Sequence, residues 1–208
     1  MPRILDRALR PAATALAMLT LVLAAGCAGN SAALSNVRYD LGPAASVVTA
    51  GTGPVLKVLD IAVPDALDTD KFVYRLAYAD VQRMAVYRDS RWSAPPAQLL
   101  TQRLRGALSS RGAVLEGSDG VRAPTLKVDL NEFEQVFDGQ SQSYGAVTAR
   151  ATLMQDGKVL GQRTFVARAP SSTPDAAGGA RALAAASDEL VSQIAAWVGG
   201  VQAYAGNP

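Results

Sequence analysis

The sequence contains no histidine, a single cysteine (Cys27) and few charged residues, which make up 18 % of the chain. Without histidine, serine or cysteine hydrolysis that uses a histidine base is excluded, as is any zinc site with histidine ligands. One cysteine cannot form a disulfide within the chain or supply a zinc site with several thiolates. Apolar residues make up 49 % of the 208 residues, which is enough for a packed core and argues against wholesale disorder.

The net positive charge of the chain is confined to the N-terminus. Residues 1–26 carry a net charge of +2, from three arginines and one aspartate. The remaining residues are neutral, with seventeen basic and seventeen acidic side chains. Because phosphate binding needs a concentrated positive surface, we do not expect nucleic acid to be the main partner.

The N-terminus has the layout of a secretory signal peptide. A short positive segment, residues 1–10, precedes residues 12–25, which contain no charged side chain. As a helix these fourteen residues would cover about 21 Å, which is less than the ~30 Å hydrocarbon core of a bilayer. The pattern therefore predicts an export signal over residues 1–26 rather than a membrane span.

Small residues directly before Cys27 resemble the bacterial lipobox. The order is Leu23-Ala24-Ala25-Gly26-Cys27, although leucine usually occupies the position that Ala24 has here. The resemblance implies that cleavage follows Gly26 and that Cys27 becomes an N-terminus carrying acyl chains, palmitate among them. The alternative is an ordinary signal peptide with an unpaired cysteine nearby. Ala28 follows in place of the aspartate that tends to retain lipoproteins in the inner membrane of Gram-negative bacteria, which favours the outer membrane.

The residues after the predicted cleavage site are predicted to form one domain. Residues 27–36 are small and polar and suit a flexible tether between lipid and domain, and residues 201–208 form a tail. Between them, residues 37–200 contain no repeat, no charge block and no second long apolar run. Loose stretches at residues 43–54 and 169–179 do not separate two pieces large enough for separate cores.

The first half of this domain predicts strands followed by a helix. Residues 55–63 form an apolar, β-branched run before Pro64 and predict a strand buried on both faces. Period-two alternation over residues 72–87 predicts a hairpin turning at Ala79-Asp80. Two prolines, Pro95 and Pro96, fit the first turn of a helix that continues with leucines at helical spacing and stops near Gly112.

The second half predicts three more strands and a final helix. Alternation over residues 126–137 changes phase at Asn131-Glu132, which indicates a β-bulge. Two further strands surround Asp156-Gly157, a dipeptide that suits a type I′ turn. An apolar stripe predicts a helix over residues 180–198. The predicted fold class is therefore α+β: a single small α/β sandwich, with a mainly antiparallel sheet and two helices packed on one face.

Candidate catalytic and metal-binding residues are few. Ser141 lies in a sequence resembling a nucleophile elbow, but the second glycine and any histidine base are missing. Glu132 and Glu134 share a strand face, yet alternate residues on a strand are more often its solvated side. Three aspartates lie close together without the glycine or distal glutamate of a calcium loop: Asp65, Asp68 and Asp70. We therefore expect no catalytic residue, no metal site and no cofactor.

Several short segments carry a family resemblance when they are taken in order. Residues 91–100 (Arg-Trp-Ser-Ala-Pro-Pro-Ala-Gln-Leu-Leu) are the most distinctive, and the others lie at residues 38–42, 55–64, 73–75 and 126–137. Together they span residues 37–198 and resemble the ABC-type transport auxiliary lipoproteins, the family of paraquat-inducible protein C. Trp92 and the two prolines also have a purely structural interpretation, in which Trp92 closes a strand and the prolines start a helix.

The resemblance implies a non-enzymatic lipoprotein on the periplasmic side of the outer membrane. Such proteins accompany transporters built from an ABC ATPase, a permease and MCE-domain proteins, which move lipids or other hydrophobic molecules across the envelope. We expect an MCE-domain protein as the partner, and the sequence leaves open whether copies of the chain associate. A lipid carrier would instead need a cavity beside residues such as Leu100, Leu104, Leu190 and Ile194. The sequence is also compatible with a lipoprotein that assists outer-membrane assembly or secretion, and with a hydrolase that uses carboxylates.

Overall fold

A computed structural model describes residues 36–43 and 51–205, with side chains as far as Val201. In this part of the chain there are eight strands, two α-helices and one turn of 3₁₀ helix. The strands are β1 (Val37–Tyr39), β2 (Gly53–Val58), β3 (Lys71–Leu76), β4 (Met84–Trp92), β5 (Gly112–Leu115), β6 (Thr125–Phe137), β7 (Ser143–Gln155) and β8 (Lys158–Pro170). The helices are α1 (Pro96–Ser109) and α2 (Ala176–Ala205), and the 3₁₀ turn is Asp65–Leu67.

All eight strands form one mixed sheet with β6 at its centre. One edge of β6 pairs with β7, which pairs with β8, and both pairings are antiparallel over almost the whole strand length. The other edge of β6 is shared by two strands, because β2 pairs with its beginning and β3 with its end, both in parallel. Beyond them, β5 lies parallel to β2, β4 lies antiparallel to β3, and β1 lies parallel to β4. Most paired residues are antiparallel, as the sequence predicts.

The local details of the long strands also agree with the sequence. The register between β6 and β7 shifts between Leu130 and Glu132, which confirms the predicted bulge. Asp156 (φ 49°) and Gly157 (φ 76°) both lie in the left-handed region, as a type I′ turn requires between β7 and β8. Apolar residues of β7 alternate on the core side, and Ala149 and Leu153 are fully buried.

Both helices pack on the same face of the sheet. Leu100 and Leu104 of α1, Leu190 and Ile194 of α2, and Val147 of β7 belong to one continuous hydrophobic core. Pro96 occupies the first turn of α1, where its missing N–H costs nothing. The fold class is therefore α+β, as predicted. Within the described residues, neither helix combines the length and hydropathy that a membrane crossing requires.

Four elements differ from the sequence expectation. The strands β1 and β5 are not predicted, because each is very short and is defined by its parallel partner. The strand predicted over residues 55–63 ends at Val58, and its residues alternate between buried and partly exposed instead of being buried on both faces. Helix α2 begins before residue 180 and continues through Ala205, past the predicted start of the tail.

Candidate functional site

Cys27 and Gly26 lie outside the described residues, so cleavage and lipidation there remain predictions. The described domain starts at Asn36, nine residues beyond Cys27. Strand β1 pairs with the second half of β4, with Val37 opposite Ser90. Strand β1 therefore places the beginning of the described domain beside the second half of β4.

A buried arginine holds the segment that follows β1. The Arg103 guanidinium, which is 8 % exposed, donates hydrogen bonds to the carbonyl oxygens of Leu41 and Gly42, the latter at 2.6 Å. It also forms an ion pair with Asp188 of α2. Leu41 itself is buried in the core. Arg103 therefore fastens the N-terminal segment to both helices, and we name this arrangement the Arg103 clamp.

The three clustered aspartates do not form a metal site. Asp65 lies in the 3₁₀ turn, and the backbone N–H of Asp68 closes that turn on the carbonyl oxygen of Asp65. Asp70 instead accepts hydrogen bonds from Arg38 of β1 (3.3 Å) and Arg91 of β4 (3.4 Å). No group of side chains suited to holding a metal ion occurs in the described ranges. Asp70 therefore joins β1 to β4 and supports the N-terminal segment.

Glu132 and Glu134 lie on the sheet face opposite the helices, but their carboxylates are engaged differently. The Arg75 guanidinium binds Glu134 through two hydrogen bonds, from Nε to Oε1 (2.7 Å) and from Nη2 to Oε2 (3.0 Å). These bonds raise the pKa of Arg75 above its ordinary value, and the Glu134 side chain is only 5 % exposed. Glu132 Oε2 accepts a hydrogen bond from Thr148 Oγ1 at 2.6 Å. The pair thus consists of a buried salt-bridge partner and a hydrogen-bonded surface carboxylate.

Sequence reasoning missed a buried polar cluster under the start of α2. Gln135 is fully buried, accepts a hydrogen bond from Tyr87 Oη (2.9 Å) and donates one to Ser143 Oγ (2.9 Å). Burial also raises the pKa of Tyr87. Gly179 of α2 lies directly over this amide, since an added Cβ would come within 2.0 Å of Gln135 Oε1. Through these two hydrogen bonds Gln135 of β6 is joined to Tyr87 of β4 and to Ser143 of β7.

The other two sequence candidates are structural or exposed. Ser141 lies in the exposed turn between β6 and β7, and the sequence has no histidine that could activate it. Trp92 is 1 % exposed and packs on Phe72 (ring centroids 4.7 Å apart) and on Phe133 (5.2 Å). With Pro96 opening α1, the structural interpretation of the segment around Trp92 is supported.

The residues that would line a lipid cavity form a closed core instead. Leu100, Leu104, Leu190 and Ile194 are each at most 1 % exposed and pack in one cluster. Two surface clefts, of 450 and 530 Å³, lie beside the N-terminal segment and beside residues 60–63, and neither is lined by these four residues. These four residues are therefore part of the core and do not line either cleft.

Exposed apolar side chains gather on the β3–β4 hairpin. Tyr78 is 47 % exposed, Val81 66 %, Met84 46 % and Val86 47 %. We call these four residues the hairpin patch. Met84 and Val86 alternate along β4, a pattern that ordinarily indicates a buried face, whereas Tyr78 and Val81 lie in the turn between the two strands. The exposure of the hairpin patch is seen only in the folded structure, where no other described residue covers these four side chains.

Two solved structures are similar in fold to this chain. A crystal structure of the Xanthomonas campestris protein XCC0632, of the DUF330 family, superposes with a TM-score of 0.66 at 24 % identity and covers 83 % of this chain and 96 % of that one. A second crystal structure, of an uncharacterized protein, gives a TM-score of 0.65 at 23 % identity over 79 % of this chain and 99 % of that one.

The sequence comparison, in addition, identifies a family. No curated protein matches the chain. The family model for the ABC-type transport auxiliary lipoprotein component matches residues 39–195, from the end of β1 into α2 and well over half of the chain. The chain therefore belongs to the family of ABC-type transport auxiliary lipoprotein components.

Proposed function

We propose that the chain is a lipid-anchored docking subunit of an MCE-type ABC transporter. In this role Cys27 carries the acyl chains, the domain faces the periplasm from the outer membrane, and the transporter moves lipids or other hydrophobic molecules across the envelope. The observation that carries the proposal is the family match over residues 39–195, which follows a lipobox-like cysteine in the same chain.

The geometry supports docking over catalysis. Glu134, the most buried carboxylate among the candidates, is already neutralised by Arg75 through two hydrogen bonds. Ser141 is exposed, and the sequence contains no histidine that could activate it. A domain whose buried polar groups are hydrogen-bonded to one another suits recognition of a protein partner better than catalysis.

The geometry also favours a docking subunit over a lipid carrier. A carrier must enclose an apolar chain, but the apolar residues between sheet and helices are packed against one another. The Arg103 clamp instead fastens the segment that follows β1 to both helices, so that the start of the described domain is joined to its core. Confinement to a membrane raises the effective concentration of the domain toward other envelope components, so weak contacts suffice for docking.

Anchoring is tested with two substitutions beside the predicted cleavage site. Cys27→Ser should remove the acyl chains, which mass analysis of the protein from cells detects, and should release the domain from the membrane fraction. Ala28→Asp should keep the acyl chains but shift the protein to the inner membrane, with Ala28→Ser as the matched control. An unacylated Cys27, or a Cys27→Ser variant that fractionates like the parent, contradicts the proposal.

The partner is tested by purifying the full chain from solubilised membranes. Recovery of an MCE-domain protein together with an ABC ATPase and a permease supports the docking role. Recovery of a β-barrel assembly factor or a secretion pore in their place contradicts it and favours assistance in outer-membrane assembly or secretion. Lipid bound to the delipidated domain in native mass spectrometry would instead support a carrier.

A further inference from the structure

We propose that the outer edge of strand β8 binds an extended acidic segment of a partner protein, which joins the sheet as a further strand. The inference rests on the proposed docking function and names the surface at which docking takes place. The segment pairs its backbone with β8 and places one carboxylate against Arg163 and another against Arg168.

The first observation is that β8 has a long backbone edge that no described strand covers. It runs for thirteen residues, Lys158–Pro170, and among the described strands it pairs with β7 alone. The outermost strands on the other side of the sheet, β1 and β5, have three and four residues. Alternate residues of an edge strand direct their N–H and C=O groups away from the sheet, where an added strand can bind them. The edge of β8 therefore offers backbone pairing over its whole length.

The second observation is the charge at this edge. Strands β7 and β8 together contain no acidic residue and four basic ones, which are Arg150, Lys158, Arg163 and Arg168. Arg150 is paired with Asp129 of β6, and Lys158 stands two positions after Asp156, whose charge offsets it. The excess positive charge of the edge therefore comes from the two remaining arginines.

The third observation is that both of these arginines stack on aromatic rings. The Cζ atom of Arg163 lies 5.2 Å from the ring centroid of Phe165, and that of Arg168 lies 5.2 Å from the ring centroid of Tyr144. Neither guanidinium forms an ion pair with an acidic side chain within the described ranges. Glu189, an exposed acid of α2, accepts a hydrogen bond from within its own helix. A guanidinium stacked in this way keeps its N–H donors for a carboxylate.

The spacing of the two arginines specifies the segment that fits. Because side chains alternate along a strand, residues five positions apart lie on opposite faces of the sheet. Accordingly, Arg163 is opposite Ala151, which belongs to the core, whereas Arg168 is opposite Ala146, which pairs with Glu134 on the other face. A matching strand, parallel or antiparallel, must therefore carry its two carboxylates five positions apart.

The same charges argue against a second copy of the chain as the occupant. Two β8 strands placed edge to edge would bring basic residues together with no acidic residue between them, and like charges destabilise strand pairing. An acidic strand has the opposite effect. Val166, which is 52 % exposed on the same face as Arg168, adds an apolar contact for a β-branched side chain of the segment.

The test uses the full acylated chain in detergent micelles and two capped synthetic peptides of identical composition. The first, Thr-Val-Glu-Val-Thr-Val-Thr-Glu-Val-Thr, has its glutamates five positions apart. The second, Thr-Val-Glu-Val-Thr-Val-Glu-Thr-Val-Thr, has them four apart, so that both point to one face and only one can meet an arginine. Fluorescence anisotropy of labelled peptide measures affinity, and amide hydrogen exchange locates the bound peptide.

We expect the first peptide to slow amide exchange within residues 158–170 and to bind roughly threefold more tightly than the second, since one exposed ion pair changes affinity by about this factor. Arg168→Glu should weaken binding of the first peptide roughly tenfold, and replacing one of its glutamates by lysine should restore the affinity. The matched control is Arg122→Glu, an exposed arginine between β5 and β6, which should leave binding unchanged.

Equal affinities for the two peptides overturn the inference, as does slowed exchange outside β8 or an Arg168→Glu variant that behaves like Arg122→Glu. Slowed exchange of β8 that rises with protein concentration in the absence of peptide also overturns it, because the occupant would then be a second copy. The docking function is judged separately, by recovery of transporter proteins with the full chain. Absence of those proteins refutes the docking function, whereas the peptides alone decide whether β8 accepts an acidic strand.

Discussion

Gly145 of β7 lies against the backbone of helix α2, and its replacement by alanine tests how closely the helix packs on the sheet. A Cβ added at Gly145 would lie 2.6 Å from the backbone nitrogen of Leu183 and 2.7 and 2.9 Å from the backbone carbon and oxygen of Ala182. All three atoms belong to the backbone of α2, so no side chain can rotate away to relieve the clash.

The cost of Gly145→Ala follows from these distances. Non-bonded carbon atoms prefer a separation of about 3.5–4.0 Å, so helix α2 would have to move away from β7 by about 1 Å. Overpacking of this kind costs about 1–3 kcal/mol. Removing a glycine from a strand returns about 0.5–1 kcal/mol through lower entropy of the unfolded chain. We therefore expect the free energy of unfolding to fall by about 1–2 kcal/mol, which is a decrease in Tm of about 2–8 °C for a domain of this size.

The assay is urea unfolding followed by the fluorescence of Trp92 and Trp197, the two tryptophans of the chain. The matched control is Gly106→Ala in α1, where an added Cβ meets nothing within 4 Å. There alanine should raise the free energy of unfolding by about 0.5–1 kcal/mol through helix propensity alone. An increase in stability for Gly145→Ala comparable to that of Gly106→Ala would refute the close helix–sheet contact.

Three further predictions concern the charged groups. Arg103→Ala should lower the free energy of unfolding by about 2 kcal/mol, because the hydrogen bonds of a buried guanidinium are lost. Hydrogen exchange of the backbone amides of residues 37–41 should also increase, and unchanged exchange would contradict the Arg103 clamp. Glu134→Gln should weaken the bond to Arg75 and destabilise the domain by about 1–2 kcal/mol in urea unfolding; loss of an activity without loss of stability would instead favour a catalytic carboxylate. Asp175, which precedes α2, has its pKa lowered by the backbone N–H of Gly178 and then by the Thr173 hydroxyl. Its folded pKa is thus below the unfolded value near 4, so its contribution is complete above that value and is lost as pH falls through the folded pKa. Asp175→Ala should therefore cost about 1 kcal/mol at neutral pH and progressively less below about pH 4, and a cost independent of pH would contradict the capping role.

Features set by neighbours in the chain were predictable from the sequence. The period of two in β6, β7 and β8, the bulge before Glu132, the Asp156-Gly157 turn and the proline-initiated start of α1 all depend on residues a few positions apart. The prediction of an acylated Cys27 has the same local character, because an export signal is read as a linear sequence. Local patterns were also sufficient for the fold class, since strands that alternate and helices with one apolar stripe must bury those faces together.

Features that depend on distant pairing were decided only by the tertiary structure. Strands β1 and β5 are too short to have a pattern of their own and exist because β4 and β2 offer them backbone partners. Arg103 and Leu41 are 62 residues apart, and Arg75 and Glu134 are 59 apart, so no spacing in the sequence connects them. The exposure of Val81 likewise follows from what the folded sheet leaves uncovered. Burial and long-range pairing are properties of the assembled sheet, whereas the sequence alone determines which segments can take part in it.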